Sequence, residues 1–294
     1  MDTAIYIGNE KMQMVCGARK GDSLNLDTFA QVSLPEGAVL NGVITNEELF
    51  VMSFRQLMTE HPDMLDRKVR LLIGGDQILT KLSIAPRIPE KQMLEWIKGE
   101  FSESETKEEM LYDYRVIRRD EEGDLALICA AQKEMIGSYI DIFDELGVEL
   151  ESIGAGLDSQ IKLLEFLPET CDDSFIFLTL DGSSLYASIY VDGIFRISNW
   201  TRLFSERSTP PISGEIERMV SNLMQFSHTE GYAQDIKKIY VCGCRRDEIF
   251  IFKNIAERFS LPTDLLRDRE GLINTGSDKK VRVDEYVYAI GTLL

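Results

Sequence analysis

The sequence predicts an α/β protein of two halves built to one plan, with a small α/β insert in the first half. Two observations carry this. The order strand, strand, strand, helix, strand occurs near the start of the chain and again after Cys171, although the residues themselves do not match. The chain has 294 residues, too many for one ordinary core and suited to two domains of about 150 residues each.

In the first half, alternating segments at Ala4 to Gly8, Lys11 to Cys16 and Leu24 to Leu34 read as strands, the first two joined tightly at Gly8-Asn9-Glu10. Thr45 and Glu48 make a Ser/Thr-x-x-Glu capping box, and Phe50, Phe54, Leu57 and Met58 recur behind it at helical spacing. Val69 to Ile73 is the next strand. In the second half, Phe175 to Leu180, Leu185 to Val191 and Ile194 to Asn199 read as strands, with Asp192-Gly193 as a hairpin turn. A helix capped near Ser213 carries Ile216, Met219, Val220, Leu223 and Met224 on one face, and Ile236 to Cys242 follows as a strand.

The insert opens at Leu82-Ser83-Ile84 and continues with a helix from Pro89 through Met93, Trp96, Ile97 and Phe101. A hairpin follows, with arms Tyr112 to Ile117 and Leu125 to Ala131 turning at Asp120 to Asp124. Met135, Ile136, Tyr139, Ile140 and Phe143 mark a second helix, and Val148 to Ile153 a last strand. The order βαββαβ is ferredoxin-like.

Composition narrows the function classes. The 32 Lys and Arg against 50 Asp and Glu leave a net charge of −18, a field that repels nucleic-acid backbones and anionic lipid headgroups. The same field attracts cationic partners, such as the basic cytosolic tails that precede membrane spans. Apolar runs such as Leu125 to Ala131 fall far short of the roughly 20 residues that cross a bilayer, and Met1-Asp2-Thr3 opens no secretory signal, so a cytosolic location is expected.

Other chemistry finds little support. Cys242 and Cys244, with only His61 and His228 in the chain, cannot assemble four zinc ligands without distant help, so buried structural thiols and no metal are expected. His61 and His228 both read as helix ends, and no Ser-His-Asp, Cys-His or HExxH arrangement occurs. Arg245-Arg246 reads as a solvated loop after a strand, and the glutamate-rich stretch from Glu100 to Glu109 as a solvated face.

Several phrases are spread in order along the chain. Leu34-Pro35-Glu36-Gly37 leads toward the first helix. Leu82-Ser83-Ile84-Ala85-Pro86-Arg87-Ile88-Pro89 leads into the insert, and Leu146-Gly147-Val148-Glu149-Leu150-Glu151-Ser152-Ile153 leads out of it. Tyr240-Val241-Cys242-Gly243 ends a strand of the second half, and Ala289-Ile290-Gly291 stands in a closing helix. In layout and phrases the chain resembles the actin-like proteins of type IV pilus assembly, the PilM family, relatives of the cell-division protein FtsA. The resemblance implies an actin-like (ribonuclease H-like) duplicated fold. Its first subdomain would span 1–85 plus 154–170, the ferredoxin-like insert 86–153, and the second actin-like subdomain 171–294.

The resemblance also implies an ATP–magnesium site, which needs a carboxylate at the end of each half's first strand and glycine-rich turns around the phosphates. Here Tyr6-Ile7-Gly8 stands where Asp-x-Gly is expected, and a neutral phenol adds no charge against a hard cation. Glu10 falls where it would face phosphate; two like charges about 4 Å apart repel by roughly 4 kcal/mol at an effective dielectric of 20. Gln13 takes the place of the family's lysine. Asp181-Gly182 sits one pleat step from the second carboxylate position and reads as a plain turn, while Gly243 is followed by Cys244 where the family has a second glycine. Too few residues separate Asp181 from Gly243 for the family's fourth subdomain. The stretch from Arg202 to Pro211 reads as a shortcut in its place.

The resulting expectation is a non-catalytic scaffold, a pseudo-ATPase with no cofactor, that binds the cytosolic tail of a PilN-like membrane protein at the inner face of the cell membrane, together with other pilus assembly platform proteins. Glu90, Glu103 and Glu105 are candidates for the electrostatic side of that contact. The alternatives are an ATPase using ATP and magnesium with Asp181 as the metal carboxylate, and a filament-forming cytoskeletal protein.

Overall fold

The structure, a computed structural model, describes residues 2–62, 68–102, 109–119, 121, 123–171, 173–230, 236–276 and 280–294. The first elements are β1 (Asp2–Ile7), β2 (Lys11–Lys20), β3 (Ser23–Ser33), β4 (Val39–Leu40), β5 (Val43–Ile44), α1 (Glu47–Glu60) and β6 (Val69–Ile73). Next come β7 (Leu79–Ala85), α2 (Glu90–Glu100), β8 (Met110–Arg119), β9 (Asp124–Gln132), α3 (Lys133–Glu145), β10 (Leu150–Ala155), α4 (Gly156–Phe166) and α5 (Pro168–Cys171). The remainder are β11 (Phe175–Asp181), β12 (Ser184–Val191), β13 (Ile194–Arg202), α6 (Pro211–Thr229), β14 (Lys238–Cys242), α7 (Phe250–Phe259), β15 (Thr263–Asp264), β16 (Ile273–Thr275) and α8 (Val287–Thr292).

The chain divides into two compact units. A first-half unit holds Asp2–Met14 and Ala30–Asp158; a second-half unit holds Val15–Phe29 and Ser159–Leu294. In the first-half unit the strand order runs β10-β6-β1, then into the opening of β2 and the close of β3, with β1, β6 and β10 parallel. Every residue of β1 from Thr3 to Ile7 is buried, as a central parallel strand covered on both faces requires. Helix α1 is capped by Asn46, whose side-chain oxygen accepts the Leu49 N–H at 3.1 Å. This corrects the Thr45–Glu48 box, because the Thr45 hydroxyl instead donates to the Gly37 carbonyl at 2.6 Å.

The insert is smaller than its expected span of 86–153. β7, β9 and β8 form an antiparallel three-stranded sheet in that order, with α2 over a core of Ala85, Met93, Ile97, Ala126 and Ile128. Helix α3 leaves this core. Its Tyr139 and Phe143 meet Phe50 and Phe54 of α1 edge to face, with Phe54 and Phe143 centroids 5.1 Å apart. β10 then pairs with β6, Ile153 opposite Leu71, so the insert lacks the fourth strand of a ferredoxin-like fold.

In the second-half unit the sheet order is β13-β12-β11-β14-β15, and α6 and α7 cover one face through Ile212, Ile216, Val220, Ile251 and Ile255. The β12–β13 turn uses Asp192 at φ +51° and Gly193 at φ +70°, as read from the sequence. A Cβ at Gly193 would strike the Cys171 carbonyl, so no other residue fits there. Helix α6 starts at Pro211; Ser213 lies inside its first turn and accepts from Asn254 at 3.0 Å instead of capping it. Residues 203–210 alone join β13 to α6, which leaves no room for a fourth subdomain.

The expected boundary at residue 170 also moves. From Ser159 onward α4 clusters with the second half: the Gln160 amide donates to Ser188 and Tyr190, and Ser159 pairs with Thr292 at 3.0 Å.

Candidate functional site

The sequence-selected residues fall in two groups, one in each unit. In the first-half unit, Tyr6 is buried in β1 with its phenol against Gly74, where any Cβ would collide with the ring. Gly8 opens the turn after β1, its N–H donating to the Lys11 carbonyl at 2.9 Å. Glu10 is exposed, and its backbone carbonyl accepts the Leu34 N–H at 2.8 Å. Gln13 is buried and donates its amide to Gln31 at 3.1 Å. It is therefore held by a neighbouring strand and is not a free amide aimed at an anion.

The loops at the carboxyl ends of β1 and β6 are knitted together. Asn9 accepts the Asn41 N–H at 2.8 Å, and Asn41 and Gly42 turn the chain between β4 and β5 at φ +50° and +87°. A Cβ at Gly42 would strike the Gly74 carbonyl, and one at Gly75 the Asn41 carbonyl. The buried Tyr139 hydroxyl closes the knot by donating to the Gly42 carbonyl at 2.9 Å. The Asn-Gly dipeptide between two apolar pairs was a legible turn signal.

In the second-half unit, Asp181 ends β11 opposite Ser184, and Gly182, at φ +58°, starts the turn to β12. The turn reading holds for the backbone, but the Asp181 side chain is buried, not solvated. Gly243 follows β14, whose Cys242 lies opposite Thr179 of β11. At φ +73° a Cβ on Gly243 would strike the Leu180 carbonyl. Cys244 is buried in the core cluster that includes Ile251 and Ile255. Burial, with the Glu248 charge added, pushes that thiol up to about 12.

One arginine joins these two loops. Arg207, from the 203–210 shortcut, donates through Nη1 to the Gly182 carbonyl at 2.9 Å and through Nη2 to the Gly243 carbonyl at 3.2 Å. Its Nε and Nη2 also grip both oxygens of Glu248, the Nε arm at 2.5 Å. Glu248 is fully buried and accepts the Arg245 N–H at 2.7 Å as well. Burial alone would lift its carboxyl; the Arg207 bonds and the Arg245 N–H outweigh it and hold the group below its ordinary 4.5.

Taken unit by unit, these residues differ from the carboxylates and free backbone N–H groups that a hydrated magnesium and a triphosphate ask for, the Asp181 carboxylate excepted. Tyr6 offers a buried phenol, Gln13 is taken by Gln31, and the Gly182 and Gly243 loops present carbonyls bound to a guanidinium. Among the described residues no group of three or more His, Cys, Asp or Glu side chains could hold a metal ion.

No protein-family model and no curated protein matches the sequence. Solved structures do. A PilM-PilN type IV pilus biogenesis complex superposes with a TM-score of 0.83 over 99% of this chain and 97% of that one, at 14% identity. The fold is actin-like, in its PilM-like form. MreB5 of Spiroplasma citri bound to AMPPNP matches at a TM-score of 0.52 and 12% identity, covering 99% of this chain and 95% of that one. The cytoplasmic domain of EpsL, an inner-membrane component of the Vibrio cholerae type II secretion system, matches at 0.51 and 9%, covering 99% and 94%.

Of the expected partner residues, Glu90 is exposed in the first turn of α2, while Glu103 and Glu105 lie outside the described residues. Sequence reasoning missed Arg207 and Glu248. Their positions are 41 apart with no periodicity between them, and the one available hint was a lone cation in the loop that replaces a subdomain.

Proposed function

We propose that this chain is a non-catalytic actin-like scaffold of a type IV pilus or related assembly platform, and that it holds the cytosolic tail of a PilN-like inner-membrane protein. The observation that carries the reading is the full-length superposition on the PilM-PilN complex. The EpsL likeness supports the coarser idea of an assembly component. The non-catalytic part is supported by the misfit at both loop groups, above all by the Arg207 guanidinium between Gly182 and Gly243.

In the first-half unit the insert offers a fitting surface. β7 is an outer strand of its sheet, Ile84 projects from it, and Glu90 and Glu95 stand exposed on α2. An extended basic tail can add to such an edge while its Lys and Arg side chains answer the glutamates. No helix among the described residues is long and apolar enough to cross a membrane, so on this reading the partner supplies the membrane attachment.

The test is fluorescence anisotropy of a labelled peptide rich in Lys and Arg with interspersed apolar residues. Saturable binding at low ionic strength, weakened about tenfold by Ile84→Asp or Glu90→Lys, is expected. Absence of binding at low ionic strength overturns the partner assignment. Titration of a fluorescent ATP analogue with magnesium tests the other half: saturable micromolar binding lost in Asp181→Ala would make the chain a nucleotide-binding protein instead. Nucleotide-dependent sedimentation would make it a filament former.

A further inference from the structure

The second-half sheet ends in a strand whose outer side is open. β13 pairs with β12, and among the described residues no strand lies beyond it. Its register shows which backbone groups face outward. Leu203 donates its N–H to the Ser183 carbonyl at 2.7 Å, so odd-numbered residues of this segment bond toward β12. The N–H and C=O groups of Ser198, Trp200 and Arg202 therefore point away from the sheet.

Two of these outward groups are covered by the strand's own short side chains. Asn199 Oδ1 accepts the Trp200 N–H at 2.8 Å, and the Thr201 hydroxyl donates to the Arg202 carbonyl at 3.4 Å. Such local bonds are weak placeholders that an incoming strand can displace. No proline or lysine guards the strand, and six consecutive pairs with β12, from Ile189–Ile197 to Ser184–Arg202, run without a bulge.

The strand's own charge is opposite in sign to that of the whole chain, with the Glu215 carboxylate of α6 standing just past its end, where it accepts the Phe204 and Ser205 N–H groups at 2.8 and 2.7 Å. From Ile194 to Phe204 there are two arginines, Arg196 and Arg202, and no acid, on a protein of net charge −18. Arg202 is exposed and takes part in no ion pair among the described residues. Beside it stand apolar surfaces: Trp200, opposite Tyr186 and 37% exposed, and Phe204, 87% exposed. A second copy is a poor occupant, because it would bring another −18 against the first.

We infer that the outer edge of β13 is a docking site for an extended acidic segment of a partner protein, which adds as a further strand, sets a carboxylate against Arg202 and lays an apolar side chain over Trp200 and Phe204. This surface is separate from the insert edge assigned to a basic tail, and the two assignments stand or fall independently.

The probe is a blocked nine-residue synthetic peptide alternating Glu with Val or Phe, followed by anisotropy at low salt and by amide hydrogen exchange of the full chain. Saturable binding is expected, with slowed exchange confined to residues 196–204. Arg202→Glu and Trp200→Ala each weaken it about tenfold, and a central proline in the peptide abolishes it. Asn199→Ala, which removes a competing acceptor, tightens it about two- to tenfold. Arg202→Glu alters an exposed side chain, so an unchanged melting temperature confirms that this variant is folded. The inference is overturned if the acidic peptide does not bind, if a Lys-for-Glu peptide binds equally well, or if Arg202→Glu changes nothing. Exchange at β13 that slows with protein concentration in the absence of peptide would also overturn it, by showing a second copy on the edge.

Discussion

Arg207 grips the buried Glu248 carboxylate with two nitrogens and, with the same guanidinium, holds the carbonyls of Gly182 and Gly243. Four bonds from one side chain thus tie together the turn after β11, the loop after β14 and the short 3-10 turn that follows it. The arginine comes from the stretch that joins β13 directly to α6, so the shortcut supplies its own brace.

Removing one partner of this pair should be costly. Arg207→Ala leaves Glu248 buried without its counter-charge and is expected to lower the unfolding free energy by about 3–5 kcal/mol in urea titrations. The double change Arg207→Met with Glu248→Leu, which removes both charges at similar volume, should recover most of the loss. Equal destabilisation by the single and double variants would show that the carbonyl bonds, and not the ion pair, carry the energy.

The same pair sets a pH dependence. Glu248 is held below its unfolded value of 4.5, so its contribution is complete above that pH and disappears as pH falls through the lower native value. Stability of the wild type should therefore decline below pH 4.5 more steeply than that of Glu248→Gln. Parallel curves for the two proteins would contradict the assignment.

Burial also sets thiol reactivity. Cys244 and Cys129 are both pushed up to about 12, so near pH 8 neither carries an appreciable thiolate fraction. Iodoacetamide followed by peptide mass mapping should leave both unmodified in the native protein and modify both in urea. Labelling of native Cys244 at the rate of a free thiol would place it outside the core.

Two glycines should respond in opposite directions to alanine. Gly243→Ala forces a Cβ into the Leu180 carbonyl at φ +73°, with an expected cost of about 1–3 kcal/mol. Gly214 lies inside α6 with nothing near its missing Cβ, and Gly214→Ala should stabilise by about 0.4–1 kcal/mol. Thermal melts of both variants check the pair.

Much of the fold was legible because it rests on local chemistry. Alternation located the strands, Asp192-Gly193 demanded a positive-φ turn, and the few residues between Asp181 and Gly243 foretold the absent subdomain. What failed depended on distant packing. The faces of α3 and β10 suit the insert or the main sheet equally well in sequence, and Phe50 and Phe54 of α1 decide between them. Asn46 displaced Thr45 as the cap because the Thr45 hydroxyl found Gly37. At the candidate site Tyr6 and Gln13 were visible in the sequence as departures in residue type from the family the chain resembles. The brace was not, since nothing local distinguishes Arg207 from any loop arginine.

One pairing has a bearing on biosynthesis. Leu24 of β3 lies beside Ile273 of β16, so one strand is completed by another that is made about 250 residues later. At about 5–20 residues per second, its neighbour reaches it only after tens of seconds on the ribosome. Throughout that interval the nascent chain carries an uncovered β edge. A long-range closure of this kind also belongs to the slow-folding topologies, so this segment is where chaperones would find the emerging protein.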